Sequence, residues 1–283
     1  MMSSMVPIQY LLRFIEEDSP FGDITSDAVI PDISTRAVIR AEQEGIIAGI
    51  AEARALFAHF GVVAEPGKQD GDAVVSHDIV LALGGNAKGI LLVERTALNI
   101  IGRMSGIATQ TRKLADIVSA ENSRCRIAAT RKTSPGFRAL DKKAVQLGGG
   151  DPHRMSLSDG ILIKDNHLML VPLAEAIRSA RAGSAYRKIE AEVETAKDAL
   201  TAAKEGADII LLDNMTHRRV RETLATLKRA GLRDRVIIEL SGGIDEKTLP
   251  EYAALDVDVI SMGALTHTVK NFSVTLEILP ETG

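Results

Sequence analysis

Cysteine is almost absent, with Cys125 alone in 283 residues. A lone thiol excludes an internal disulfide framework and suits a reducing compartment. Cys125 sits between Arg124 and Arg126 at the start of an apolar run, so it reads as structural rather than nucleophilic. Tryptophan is missing, aromatic residues make up 3%, and the formal net charge is -4. A nucleic-acid-binding domain is normally basic and offers aromatic faces for stacking, so nucleic acid is not the expected partner. No apolar run approaches the ~20 residues that span a bilayer. The first apolar residues, Ile8, Leu11, Leu12 and Ile15, follow helical spacing and lead into acidic ones, unlike a secretory signal. The expectation is a cytoplasmic protein with no membrane role. There is no Cys/His cluster at zinc spacing and no G-x-G-x-x-G after the first strand of the βα run. What remains, 45% hydrophobic and 25% charged, is an ordinary globular composition for one large domain or two moderate ones.

Against those absences stands one dense segment, TRKTSPGFRALDKKAVQLGGGDPHRMSLSDGILIKDNH, from Thr130 to His167. It gathers Arg131, Lys132, Arg138, Lys142, Lys143, His153, Arg154, Lys164 and His167 within an acidic chain. A local excess of cations in such a chain points to a pocket for an anion, and the arginine fork matches carboxylate or phosphate. Lys142 and Lys143 follow Ala139-Leu140 and precede Ala144-Val145, which predicts the wet face of a short helix. Arg131-Lys132, His153-Arg154 and Lys164 stand instead at junctions between turns and regular elements, where binding residues concentrate.

The chain up to about residue 90 predicts an α+β unit. Residues 6–17 form an amphipathic helix, 21–26 a turn whose Asp23 or Ser26 could act as a cap, and 37–40 and 45–50 short strands. A helix over 51–60 ends at Gly61, and further strands fall at 74–75 and 79–83. Two helical stripes then run from Glu94 to Val118 with a predicted break at Ser105-Gly106. From Arg124 onward apolar strands alternate with amphipathic helices. Strands are predicted at 126–130, 160–164, 188–193, 208–212, 236–240 and 257–262. Repeated βα units imply a parallel sheet, open or closed into a barrel.

Each of these strands ends in polar or small residues: Arg131-Lys132, Lys164-Asp165-Asn166, Glu192, Asp213-Asn214, Ser241-Gly242-Gly243 and Gly263-Ala264. In a (β/α) barrel such ends converge on one mouth, and six of them favour a barrel with fewer than the usual eight strands. Along 188–194, Glu190, Glu192 and Glu194 alternate with Ile189, Ala191 and Val193. A carboxylate turned into a barrel is costly unless it meets a hydroxyl, a cation or a metal. Glu192 and Asp213 therefore read as acceptors for sugar hydroxyls or Mg²⁺. Ser241-Gly242-Gly243 and Gly263-Ala264 stand where strand is expected to give way to helix, a place suited to phosphate.

These motifs, taken in order, resemble the quinolinate phosphoribosyltransferase (nicotinate-nucleotide pyrophosphorylase, carboxylating) family. The matching residues are Gly22-Asp23-Ile24-Thr25, Glu94-Arg95-Thr96-Ala97-Leu98-Asn99, Ser105-Gly106-Ile107-Ala108-Thr109, Thr130-Arg131-Lys132-Thr133, Pro135-Gly136, Gly148-Gly149-Gly150 and His153-Arg154. They continue with Ile163-Lys164-Asp165-Asn166-His167, Leu212-Asp213-Asn214-Met215, Ser241-Gly242-Gly243 and Met262-Gly263-Ala264-Leu265-Thr266-His267. The resemblance implies an α/β fold: an incomplete (β/α) barrel of type II phosphoribosyltransferase form over 106–267, plus an N-terminal α/β sandwich over 1–105 joined by the tail 268–283. It implies reaction of quinolinate with phosphoribosyl pyrophosphate to give nicotinate mononucleotide, diphosphate and CO2, in NAD biosynthesis. Arg131, His153, Arg154 and Lys164 would hold the quinolinate carboxylates, with Arg95 arriving from the partner subunit of a homodimer. Lys132 and Lys164 would face the diphosphate, and Glu192 and Asp213 the ribose hydroxyls. Ser241, Gly242, Gly243, Gly263, Ala264 and His267 would face the 5-phosphate. Mg²⁺ would be carried mainly by the diphosphate, near Glu192 and Asp213.

Pro152 and Ser156 depart from the Asn and Gly that many members carry there. Pro before His-Arg also occurs in molybdenum-transport-associated paralogues, so a related pyridine or another acid is one alternative substrate. A barrel aldolase forming a Schiff base at Lys164 is another.

Overall fold

The computed structural model describes residues 6–280. In chain order the elements begin with α1 (Ile8–Asp18), α2 (Ile24–Val29), β1 (Ser34–Ala41), β2 (Gly45–Ile46), α3 (Ile50–His59), β3 (Val63–Pro66), β4 (Ala73–Val74), β5 (Ile79–Asn86) and α4 (Ala87–Glu121). Then come β6 (Arg126–Ala128), α5 (Arg138–Leu147), β7 (Ile161–Ile163), α6 (Asp165–Leu168), α7 (Leu173–Gly183), β8 (Ile189–Val193), α8 (Ala196–Glu205), β9 (Ile209–Asp213) and α9 (His217–Arg229). The chain closes with β10 (Ile237–Ser241), α10 (Leu249–Ala253), β11 (Val259–Ser261), α11 (Ala264–His267) and β12 (Val274–Ile278). Among the described residues no helix is long and apolar enough to cross a membrane.

Two compact units divide the chain. The first gathers the described residues up to Arg112, Ser134–Gly149 and those from Thr268 on; the second holds Lys113–Thr133 and Gly150–His267. Residues 1–5 and 281–283, the outer ends of the stretches expected in the sandwich, lie outside the described residues.

The first unit is built on an antiparallel sheet in the order β12-β1-β5-β3. The tail therefore enters this sheet as an edge strand, Ala41 pairing with Val274 and Ala37 with Ile278. α2 occupies part of the stretch expected to be a turn: the Asp23 carboxylate accepts from the Thr25 and Ser26 amides and caps it. α4 is one helix without the predicted break. Gly106 serves close packing rather than flexibility, since a Cβ there would run into the Lys270 carbonyl, and the Ser105 hydroxyl bonds to the Ala48 amide and carbonyl. α5 also belongs to this unit. Asp141, fully buried, receives a bidentate bond from Arg103 at 2.7 and 2.9 Å. Lys143 sits 2.9 Å from both Glu52 and Asp70, and Phe137 stacks on Phe14. Lys142 and Lys143 are thus not on a wet face: Lys142 is buried and Lys143 is mostly so. The local pattern of Leu140, Ala144 and Val145 could not show it, because Glu52 and Asp70 are distant in sequence.

The second unit carries six parallel strands in the order β6-β11-β10-β9-β8-β7. β6 and β7 are its edges, so the barrel is incomplete. The edge at β6 is extended by Asp151, whose amide donates to the Ile127 carbonyl and whose carbonyl accepts from Ala129. Most of the strands are near-continuous apolar runs, as a sheet covered on both faces requires, with Glu190 and Glu192 in β8 and Glu239 in β10 as departures. Ile127, Ala191, Ile210, Leu212, Ile238, Leu240 and Ile260 are almost wholly buried.

Candidate active site

Arg131, Lys132, His153, Arg154, Lys164, Glu192, Asp213, Ser241–Gly243, Gly263, Ala264 and His267 all belong to the second unit. All but His153 and Arg154 lie at or just beyond the carboxyl end of a strand or in the short helix that follows. The register explains the convergence. Glu192 is level with Leu211 of β9, and Asp213 is level with Ser241 of β10 and through it with Ser261 of β11. Residues two apart share a face, so Glu190, Glu192, Leu211, Asp213, Glu239 and Ser241 line one side of the sheet.

Two polar neighbourhoods emerge. In one, the Lys164 ammonium meets Glu192 at 3.0 Å. The His167 Nδ1 accepts from the Lys164 amide at 2.9 Å, which fixes the start of α6 behind the lysine. Arg154 donates to the Gly160 carbonyl at 3.1 Å, and burial, only partly offset by the nearby Glu190, pulls its pKa below the usual arginine value; Arg131 adds to that depression. The His153 amide donates to the Asp151 carboxylate at 2.7 Å, and its backbone is left-handed at φ 57°.

In the other, the Thr266 hydroxyl donates to the Lys132 carbonyl at 2.8 Å. A Cβ on Gly263 would lie 3.0 Å from both the His267 ring and Lys132 Cδ, so these three pack together and an added side chain would require one of the two to shift. At the ends of β9 and β10, the Asn214 amide side chain donates to the Asp213 carboxylate at 2.7 Å while its backbone NH donates to the Ser241 carbonyl. Gly242 and Gly243 are both left-handed, and helix resumes only at Leu249, so the expected helix start directly after Ser241 is replaced by a turn.

Family models match almost the whole length: the quinolinate phosphoribosyl transferase N-terminal domain over residues 23–105 and its C-terminal domain over 107–277. The chain belongs to the quinolinate phosphoribosyltransferase family. It is 46% identical over 270 residues to a probable nicotinate-nucleotide pyrophosphorylase [carboxylating] of Methanothermobacter thermautotrophicus, covering 94% of this chain and 96% of that one. A protein of the same description from Archaeoglobus fulgidus is 44% identical over 261 residues, covering 92% and 99%. The structure of the nicotinate-nucleotide pyrophosphorylase from Francisella tularensis superposes with a TM-score of 0.89 at 33% identity, covering 97% of this chain and 98% of that one.

Within this family member, Arg95 is the candidate that stands apart: it is exposed on α4 in the first unit. Several residues at the site were not singled out as candidates from the sequence. Glu190 and Glu239 are almost wholly buried, and His153 Nε2 lies 3.8 Å from one and 3.3 Å from the other. Together the three offer donor atoms within 4.8 Å of one another, a spacing that could hold a metal ion. Burial, reinforced by Glu239, pushes the Glu190 carboxyl up to about 7. A carboxylate alone in the apolar stretch Val236–Leu240 was the available signal for Glu239. Asn214 and Thr266 were visible only as motif letters.

Proposed function

We propose that this chain transfers the 5-phosphoribosyl group of phosphoribosyl pyrophosphate to quinolinate, releasing diphosphate and CO2 and leaving nicotinate mononucleotide. The carrying observation is that His153, Arg154 and Lys164 all act on Glu190, that Arg131 lies near enough to Arg154 to depress its pKa, and that Lys164 pairs with Glu192, a set of basic groups suited to a dicarboxylate. In this reading those four hold the two pyridine carboxylates, while Lys132 and Lys164 face the departing diphosphate. Glu192 and Asp213 accept from the ribose hydroxyls. The backbone of Ser241, Gly242 and Gly243, with Gly263, Ala264 and His267, receives the 5-phosphate. Loss of diphosphate from C1 builds positive charge on the sugar, so carboxylates beside the ribose and cations around the leaving group both lower the barrier. For the decarboxylation the chain supplies orientation and charge neutralisation.

Mg²⁺ fits the donor set. Glu192 and Asp213 are hard oxygen ligands from neighbouring strands, each carboxylate accepting a hydrogen bond, from Lys164 and from Asn214, through one of its two oxygens. The ion would supply charge neutralisation on the diphosphate, as one or two protein carboxylates plus substrate oxygens are its usual setting. We further infer a homodimer in which Arg95, exposed on its own subunit, completes the carboxylate site of the other. The pairing of the Lys164 ammonium with Glu192 disfavours a Schiff-base role, which needs a desolvated neutral amine.

The test is release of labelled CO2 from carboxyl-labelled quinolinate, together with diphosphate release measured for quinolinate and for nicotinate as the control acceptor. Turnover with quinolinate is expected, reduced about 10- to 100-fold in KM-limited conditions by Arg131→Ala or Arg154→Ala, the loss of a charged hydrogen bond. Equal rates with nicotinate refute the assignment.

A further inference from the structure

Glu190 and Glu239 are the unexplained groups of the second unit. Each is about 3% exposed or less. Two carboxylates buried together inside a barrel are unfavourable unless they neutralise something. Their depth is set by the strands: Glu190 lies two residues before Glu192, and Glu239 two before Ser241, so each is one pleat repeat, roughly 7 Å, below the mouth. They sit beneath the groups assigned to ribose and phosphate.

What they face is basic. His153 Nε2 is 3.3 Å from Glu239 and 3.8 Å from Glu190, and Arg154 borders the same cavity as both carboxylates. Neither His153 nor Arg154 is carried by a strand; they lie in the segment that follows Asp151 along the barrel's open edge. That segment has a left-handed residue and short polar tethers, from the Asp151 carboxylate and the Gly160 carbonyl, in place of a ladder. On its inner side are the strands that carry the two carboxylates. One oxygen of Glu190 has no hydrogen-bond partner among the described residues. The cavity beside them, about 340 Å³, is bordered by His153, Arg154, Glu190 and Glu239 together with strand-start residues such as Lys188 and Ile237.

We propose that Glu190 and Glu239 form a buried carboxylate floor that positions the His153 imidazole and the Arg154 guanidinium for the acid groups of the pyridine substrate. They are positioning residues, since they lie below the mouth and act through the two basic side chains. This deepens the functional assignment above and rests on it. A floor of this kind governs acceptor binding and leaves the ribosyl donor untouched.

The experiment is steady-state kinetics of the full-length protein with quinolinate and phosphoribosyl pyrophosphate varied separately, for wild type, Glu239→Gln, Glu190→Gln, His153→Ala and the double variant His153→Ala/Glu239→Gln. Wild-type turnover of quinolinate comes first; its absence defeats the functional assignment rather than the floor. Given turnover, Glu239→Gln should raise KM for quinolinate about tenfold, the loss expected for one charged hydrogen bond. KM for the donor and kcat should stay within about twofold, and Glu190→Gln, at the longer distance, should show a smaller rise of the same kind. In the His153→Ala background, Glu239→Gln should add less than about twofold, because its partner is gone. The floor is overturned if both KM values rise together, if the two changes multiply, or if quinolinate binding is unaltered in both glutamine variants. It is equally overturned if Zn²⁺ raises the unfolding temperature of wild type but not of Glu239→Gln, which would mark the trio as a metal site. Should Glu239→Gln fail to fold, Glu190→Gln carries the same comparison.

Discussion

Gly242→Ala isolates how a backbone turn sets the donor side of the site. Gly242 has φ 87°, where an alanine costs about 1–2 kcal/mol. Its Cβ would overlap the Asn214 carboxamide, lying 2.6 Å from Asn214 Cγ. Asn214 must then rotate away and give up its bond to Asp213, a loss of about 1 kcal/mol for a partly exposed pair. The entropic gain from replacing glycine offsets about 0.4–1 kcal/mol. The sum is a destabilisation of about 1–3 kcal/mol, with Asp213 released from its tether. Gly206→Ala is the matched control: φ is 93°, yet nothing lies within 4 Å of the added carbon. It should show the strain alone, about 1 kcal/mol or less after the entropic offset. Urea denaturation compares the stabilities, and KM for phosphoribosyl pyrophosphate reads the site. Gly242→Ala should raise that KM several-fold and Gly206→Ala should not. Equal losses of stability with unchanged KM in both would refute the claim that Asn214 links the turn to Asp213.

The Glu190 carboxyl, held at about 7 against its usual 4.5, makes stability pH-dependent. Its folded pKa is raised, so the contribution is complete below pH 4.5 and is lost as pH rises through 7, by up to about 3 kcal/mol. Urea midpoints at pH 5 and pH 8 should therefore differ more in wild type than in Glu190→Gln. Lys143→Met leaves Glu52 and Asp70 without their shared cation and should destabilise by about 3–5 kcal/mol, with partial recovery on adding Glu52→Gln. Cys125 is buried with its thiol pushed up to about 12 by burial, and a disulfide reagent should label it only after unfolding.

The βα alternation after Arg124 was legible because period and apolar content report directly on strands buried on both faces. The predicted strand at 188–193 is β8 within one residue. The strand ends were legible too, since polar residues closing apolar runs have few other roles. Three kinds of feature were not. Gly106 in α4 read as a break because sequence cannot distinguish a glycine that loosens a helix from one that admits the Lys270 carbonyl. Lys143 read as solvated because its partners Glu52 and Asp70 come from distant segments. His153 stood out in the sequence as a candidate, but its left-handed backbone and its two carboxylate neighbours are properties of the folded edge alone.

The pairing of β12 with β1 orders events during synthesis. Residues 34–41 leave the ribosome well before their outer neighbour, 274–278, with the whole second unit made in between. Until then the margin of that four-stranded sheet exposes unpaired amides and carbonyls, an invitation to strands of other chains. The six parallel strands of the other unit all precede Val274, so a nascent chain halted before that residue would hold every strand of the parallel sheet and lack the edge strand of the antiparallel one.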